Sequence, residues 1–135
     1  IVFWDVQADS YAFYDLLFSD KNKTFLFVDK MQRQWSDWNA FLGLLVRWAS
    51  LYLVLQDYLN RWITDTKKIA EETKYHPFVL KNAIKYSSLL KQKWQKLKDF
   101  YSSLVELEYD LKNWIIYDKS FWLEIKKIVD TFYQV

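Results

Sequence analysis

The chain has 135 residues, of which 52% are hydrophobic and 21% aromatic, with a net charge of +2, so it is too apolar to stay disordered and long enough to bury roughly two-thirds of its unfolded surface. No Cys, one His and one Gly exclude disulfides, thiolate metal sites, a cysteine nucleophile, paired-histidine metal ligation and every glycine-rich phosphate loop. One Gly and one Pro also leave out the turn chemistry of antiparallel sheets, so the expected fold class is all-α, a compact bundle of about seven helices.

In chain order, Ser10 to Phe18 predicts a short helix with Phe13, Leu16 and Leu17 at helical spacing. Ser19-Asp20-Lys21-Asn22 interrupts it, and Asn22 or Lys23 opens a second helix carrying Phe25, Leu26, Val28 and Met31. Ser36 or Asp37 supplies the next cap. From there Trp38, Phe41, Leu42, Leu45, Ala49, Tyr52, Leu53 and Leu59 recur every three or four residues, and Leu44, Leu51, Val54 and Leu55 fill the other side. A helix apolar nearly all round belongs in the middle of a bundle. Its longest apolar run, Phe41 to Leu55, is broken by Arg47 and Ser50 and falls short of the ~20 residues of a membrane span.

Thr64-Asp65-Thr66 caps a short helix, Lys67 to Thr73, that faces Ile69 and Ala70 inward. Pro77 starts the next, because a first-turn proline loses no hydrogen bond; Phe78, Leu80, Ala83 and Ile84 face in. A longer helix from about Leu90 to Trp114 places Trp94, Leu97, Tyr101, Leu104, Leu111 and Ile115 on one stripe. Asp118 or Ser120 caps the last helix, with Phe121, Trp122, Ile125, Ile128, Val129 and Phe132 inward. The start, Ile1-Val2-Phe3-Trp4, has neither Met nor a basic region, which is no signal peptide and is the expected look of a fragment. Residues 1–135 are read as one soluble helical domain, a piece of a longer protein.

Charge is uneven: residues 1–65 carry −2, residues 66–98 carry +7 and residues 99–135 carry −3. The Lys-rich segment contains no Arg, the residue that reads bases. It suits a solvated helix face or, alternatively, phosphate contacts through Lys81, Lys85, Lys91 and Lys93. The outline helix–turn–helix around Lys74-Tyr75-His76-Pro77 presents Pro77, Phe78 and Val79 where a DNA reader places polar side chains. His76, just before Pro77, reads as a capping or packing residue. Glu106 and Asp110 share a helix face, and Glu108 with Lys112 stands in the order of an ordinary i, i+4 ion pair. Nothing favours an enzyme of the helical-bundle type.

Three segments carry a family likeness. Phe41-Leu42-Gly43-Leu44-Leu45-Val46-Arg47 resembles a Leu-Leu-Gly-Leu-Leu-x-Arg segment, Lys68-Ile69-Ala70 with His76-Pro77-Phe78-Val79-Leu80-Lys81 resembles an Ile-Ala … His-Pro-Phe-x-x-Lys signature, and Leu104 to Lys112 resembles a Leu-x-x-x-Asp-x-x-x-Lys helix with Glu108 in place of Asp. Together they resemble the C-terminal domain of the DNA polymerase III delta subunit, a bacterial clamp-loader component. The pattern departs at Trp48 for Gln, Ser50 for Arg, Lys74 for Gly, and Asn113-Trp114 for Thr-Gly.

The resemblance implies a non-catalytic scaffold that joins other clamp-loader subunits in a pentameric collar. The sliding clamp would be gripped only by N-terminal domains outside this sequence, DNA contact would be secondary, and no cofactor or membrane is involved. Aromatics left over from the core, Trp48, Trp62 and Trp114, become the expected subunit interface. The alternative is a DNA-binding helical domain that uses residues 66–98.

Overall fold

The computed structural model describes residues 12–34, 38–115 and 117–134, apart from the side chains of Phe78 and Asp118. Every regular element among these residues is helical. They are α1 (residues 12–17), α2 (Lys21–Gln34), α3 (Trp38–Asn60), α4 (Thr66–Thr73), α5 (Pro77–Ile84), α6 (Ser87–Gln92), α7 (Trp94–Lys112) and α8 (Phe121–Tyr133), the last entered through a 3-10 turn at Asp118–Ser120.

Local chemistry sets the helix ends. The Asp20 carboxylate accepts a bond from the Lys23 N–H at 3.1 Å, so α2 opens at Lys21, a residue or two before the expected start. Asp65 caps α4 in the same way, accepting from the Lys67 N–H at 3.0 Å. Ser120 stands at the head of α8 but makes no side-chain cap bond. The expected caps Ser36 and Asp37, like Ser10, lie outside the described residues.

The centre is α3, which packs against α5, α6 and α7, while α7 packs on α8 and α8 on α2. Nine of its 23 residues are buried, and they occupy about half of its circumference, so this helix is less enclosed than its nearly all-round apolar sequence suggests. Its length and mean hydropathy of 1.4 would also suit a membrane span, because the helix outruns the Phe41–Leu55 stretch; a bundle's core helix passes the same test, so this is weak evidence. Phe13 of α1 lies 6.3 Å ring to ring from both Phe41 of α3 and Phe100 of α7. Phe100 in turn is 5.7 Å from Phe132 of α8. The Tyr14 hydroxyl donates to the Leu45 carbonyl, and the Tyr133 hydroxyl donates to the Leu17 carbonyl. Aromatic packing of this kind adds about 0.5–1.5 kcal/mol per pair to area burial, and here it ties α1 into four-helix contact.

Three expectations need correction. The helix foreseen from Leu90 to Trp114 is two helices, divided at Lys93 (φ −106°, ψ 27°). The division lets α6 lie on α3 while α7 pairs with both α3 and α8, and it needs neither Gly nor Pro. Leu26 is 67% exposed, because α2 buries Thr24, Val28 and Met31 and at 100° per residue position 26 points away from that stripe. Ile115 is 64% exposed, because α7 ends at Lys112 and the helical stripe ends with it.

Glycine scarcity shapes the turns. The three residues with positive φ among those described are Trp62 (64°), Lys74 (66°) and Trp114 (59°), none of them glycine. Each terminates a helix. After α3, Trp62 N–H bonds to the Leu59 carbonyl and Ile63 N–H to the Tyr58 carbonyl; after α7, Trp114 N–H bonds to Leu111 and Ile115 N–H to Asp110. These are Schellman terminations, whose left-handed position is normally glycine. The only glycine, Gly43, sits instead inside α3, exposed, and beyond its chain neighbours and the local helix backbone nothing comes within 4 Å of where a Cβ would stand.

Candidate functional site

The face of α3 formed by Leu44, Arg47, Trp48 and Leu51, at i, i+3, i+4 and i+7, turns toward the α4–α5 connection. With Lys74, Tyr75 and His76 of that connection and Val79 of α5, these residues line a pocket of about 300 Å³. Leu44 and Leu51 are 8% and 4% exposed and form an apolar floor. Trp48, Tyr75 and Val79 are half-buried on the walls, and Arg47, Lys74 and His76 are exposed on the rim. Among the described residues no carboxylate lines the pocket, and neither Arg47 nor Lys74 forms an ion pair.

The fold therefore brings the adjacent Arg47 and Trp48 together with His76, which the sequence singled out on a different segment. It also adds Lys74 and Tyr75, which sequence reasoning noted only as a departure from pattern and a turn neighbour. The signal for Lys74 was its substitution for glycine, at a position the structure shows to be left-handed. A non-glycine residue there costs on the order of 1 kcal/mol.

The remaining motif positions hold this corner in place. Ile69 is buried and Ala70 half-buried beneath α4. Pro77 is the first residue of α5, and the carbonyl of His76 receives the Leu80 N–H at 3.2 Å. His76 is thus the residue that enters the helix, with its side chain exposed rather than packed inside. The side chain of Phe78 lies outside the described residues. The Tyr58 hydroxyl donates to Glu72 at 2.7 Å and links the end of α3 to α4; this bond to a carboxylate, chiefly, raises the Tyr58 pKa above its ordinary value.

The other expected residues are dispersed. Lys112 pairs with Glu108 at 3.7 Å, both on α7. Lys81 is exposed. Lys85 is 3.8 Å from the Asp15 carboxylate and lies over the Tyr86 ring. Lys93 stands over the Phe132 and Tyr133 rings. Lys91 lines an open groove with Gln56, Leu59, Asn60, Trp62, Ser87, Ser88 and Trp94. Gln56, missed in the sequence, is 3% exposed; its amide donates to Asn60 at 2.9 Å, and its Oε1 has no hydrogen-bond partner among the described residues. Glu106 and Asp110 share a shallow depression with Glu124, and no group of three His, Cys, Asp or Glu side chains among the described residues is placed to hold a metal ion.

Of the three expected interface tryptophans, Trp62 and Trp114 are 90% and 75% exposed. Trp48 is half-buried, 6.4 Å ring to ring from Tyr52. Around Trp114 the chain leaves further apolar residues exposed that the sequence had not singled out as interface. Of the eight large hydrophobic residues exposed among those described, six fall between residues 105 and 123: Val105, Tyr109, Trp114, Ile115, Tyr117 and Leu123.

A sequence model of the family described as the DNA polymerase III delta subunit, C-terminal domain, matches residues 9–126. The chain belongs to this family. Searches of curated proteins and of solved structures gave no significant match. As a delta C-terminal domain, the chain is related to clamp-loader subunits, and the all-helical fold agrees with the resemblance seen in its motifs. The matched span takes in the whole pocket between α3 and α5 and the whole exposed cluster between residues 105 and 123.

Proposed function

We propose that this delta C-terminal domain is a non-catalytic assembly scaffold: it joins other clamp-loader subunits in a pentameric collar that serves sliding-clamp loading in the cytoplasm. Family membership supplies the frame. The observation that carries the reading is the concentration of exposed apolar residues between positions 105 and 123, on the second half of α7, the turn after it and the start of α8. Large apolar side chains left in water in such number within one stretch of chain are the raw material of a partner surface, and six of the eight exposed among the described residues fall here. Aromatic residues concentrate in the buried centres of such interfaces, and Tyr109, Trp114 and Tyr117 lie in this segment.

Trp114 strengthens the reading. It occupies a left-handed helix terminus that glycine would fill without strain, and it buries little in return within its own chain. A partner that covers it would supply the compensation. The clamp itself would be handled by other domains of the parent subunit, and DNA contact is secondary: Lys85 and Lys93 are already engaged with an aspartate and with aromatic rings.

Co-elution with the remaining loader subunits in sizing chromatography tests this. The wild-type chain is expected to shift into the complex, and Trp114→Glu with Tyr117→Glu is expected to abolish the shift. Leu26→Glu, exposed at 67% outside the cluster, serves as the control and should shift normally. Failure of the wild-type chain to associate with folded partners would overturn the proposal, and so would equal association of all three.

A further inference from the structure

We propose that the pocket between α3 and the α4–α5 connection binds an acidic peptide segment of a partner protein, seating one large apolar side chain on its floor and the flanking carboxylates on its rim. The site is built from elements other than the residue 105–123 cluster, so it constitutes a second recognition surface. Leu44 and Leu51 at the bottom and Trp48, Tyr75 and Val79 on the walls offer apolar contact in a volume of about 300 Å³, room for a single large side chain. Arg47, Lys74 and His76 line the same pocket with no carboxylate among them, in a chain whose residues 66–98 carry +7. Charge complementarity therefore selects an anionic occupant.

The floor decides which anion. A nucleobase requires hydrogen-bond partners along its edges as well as a ring to stack on. Here the floor is aliphatic and the polar groups stand at the rim, which matches a peptide with an apolar anchor and acidic flanks. Lys74 bears on the same conclusion, because it brings a cation to the pocket from a left-handed position where glycine would be more stable. A stability cost incurred at a binding corner is the pattern of strain held at functional positions.

The test is a nitrogen-15 NMR titration of the 135-residue chain with the pentapeptides acetyl-Asp-Glu-X-Glu-Asp-amide, where X is Leu, Phe or Trp. At least one should shift the Trp48 indole and the Lys74 to His76 amide signals saturably at up to millimolar concentration. Lys74→Gly, which removes the cation and relieves the backbone, should keep the fold and weaken that binding about two- to fivefold, as should Arg47→Gln. The peptide with X as Ser and the peptide with Lys at all four acidic positions should not bind. Absence of saturable shifts with all three peptides overturns the proposal. So does binding indifferent to both substitutions, equal binding of the Ser peptide, or a stronger response to hexathymidylate than to any peptide.

Discussion

Replacing Gly43 with alanine should stabilise the chain, and the size of the gain follows from the geometry. Gly43 is the sixth residue of α3, without a positive φ. A Cβ built on it meets nothing within 4 Å. No steric cost enters, and because the site is exposed the new methyl buries little surface. What remains is helix propensity, which favours Ala over Gly by about 0.8–1.0 kcal/mol through the backbone entropy glycine loses on folding. For a chain of this size that corresponds to a rise of roughly 3–5 °C in Tm or, with an m-value of about 2 kcal/mol/M, to a urea midpoint higher by roughly 0.5 M. Urea unfolding followed by far-UV circular dichroism and by tryptophan fluorescence measures it, and both probes should agree. A loss of stability would refute the reasoning: it would mean that the helix is irregular at Gly43 or that another group of the chain occupies the space of the Cβ.

Two of the three left-handed helix ends, those after α3 and α7, should show the opposite swap. Trp62→Gly and Trp114→Gly should each raise stability by about 1 kcal/mol in calorimetry, although truncating a tryptophan normally destabilises. In the core, Leu104→Ala, at 0% exposure, should cost about 2–5 kcal/mol in urea unfolding. Glu108→Gln breaks an ion pair whose Lys112 partner is well exposed, so its unfolding midpoint should correspond to a change within about 0.5 kcal/mol. Tyr14 is completely buried, and burial chiefly, with a smaller effect of Tyr52, raises its pKa well above the ordinary value of 10.0. Below that value both folded and unfolded states hold the proton, so its contribution is constant; as pH rises past it, only the unfolded state ionises and stability falls. Tyr14→Phe should therefore flatten part of the alkaline limb above about pH 10 while costing about 1 kcal/mol at neutral pH for the lost bond to the Leu45 carbonyl.

How much of this was legible in the sequence differs by element. The stripe Phe121, Trp122, Ile125, Val129 and Phe132 faces inward as its spacing indicates, and α5 does start at Pro77, because periodicity and proline act locally. The division at Lys93 was hidden, since no Gly or Pro marks it and only the competing demands of α3 and α8 create it. The left-handed Trp62 and Trp114 were equally hidden, because bulky residues carry no propensity for that conformation. Arg47 and His76 were visible as motif positions, but their meeting around one pocket depends on how α3 packs against the α4–α5 corner. Of the exposed apolar residues between 105 and 123, Trp114 was visible as an aromatic left over from the core, whereas Ile115 was hidden because spacing alone assigned it to the inner stripe and only the early end of α7 turns it outward.

The central claim is that the region between residues 105 and 123 is covered when the loader assembles. Hydrogen–deuterium exchange of this domain, alone and within the complex of loader subunits, measures that coverage peptide by peptide. In the free domain the amides of the turn after α7 should exchange quickly, since exposed turns open locally at little cost. In the complex, peptides spanning residues 105–123 should gain protection of about tenfold or more, while those from the exposed face of α2 around Leu26 should not change. Assembly that leaves residues 105–123 as fast as in the free domain would contradict the claim.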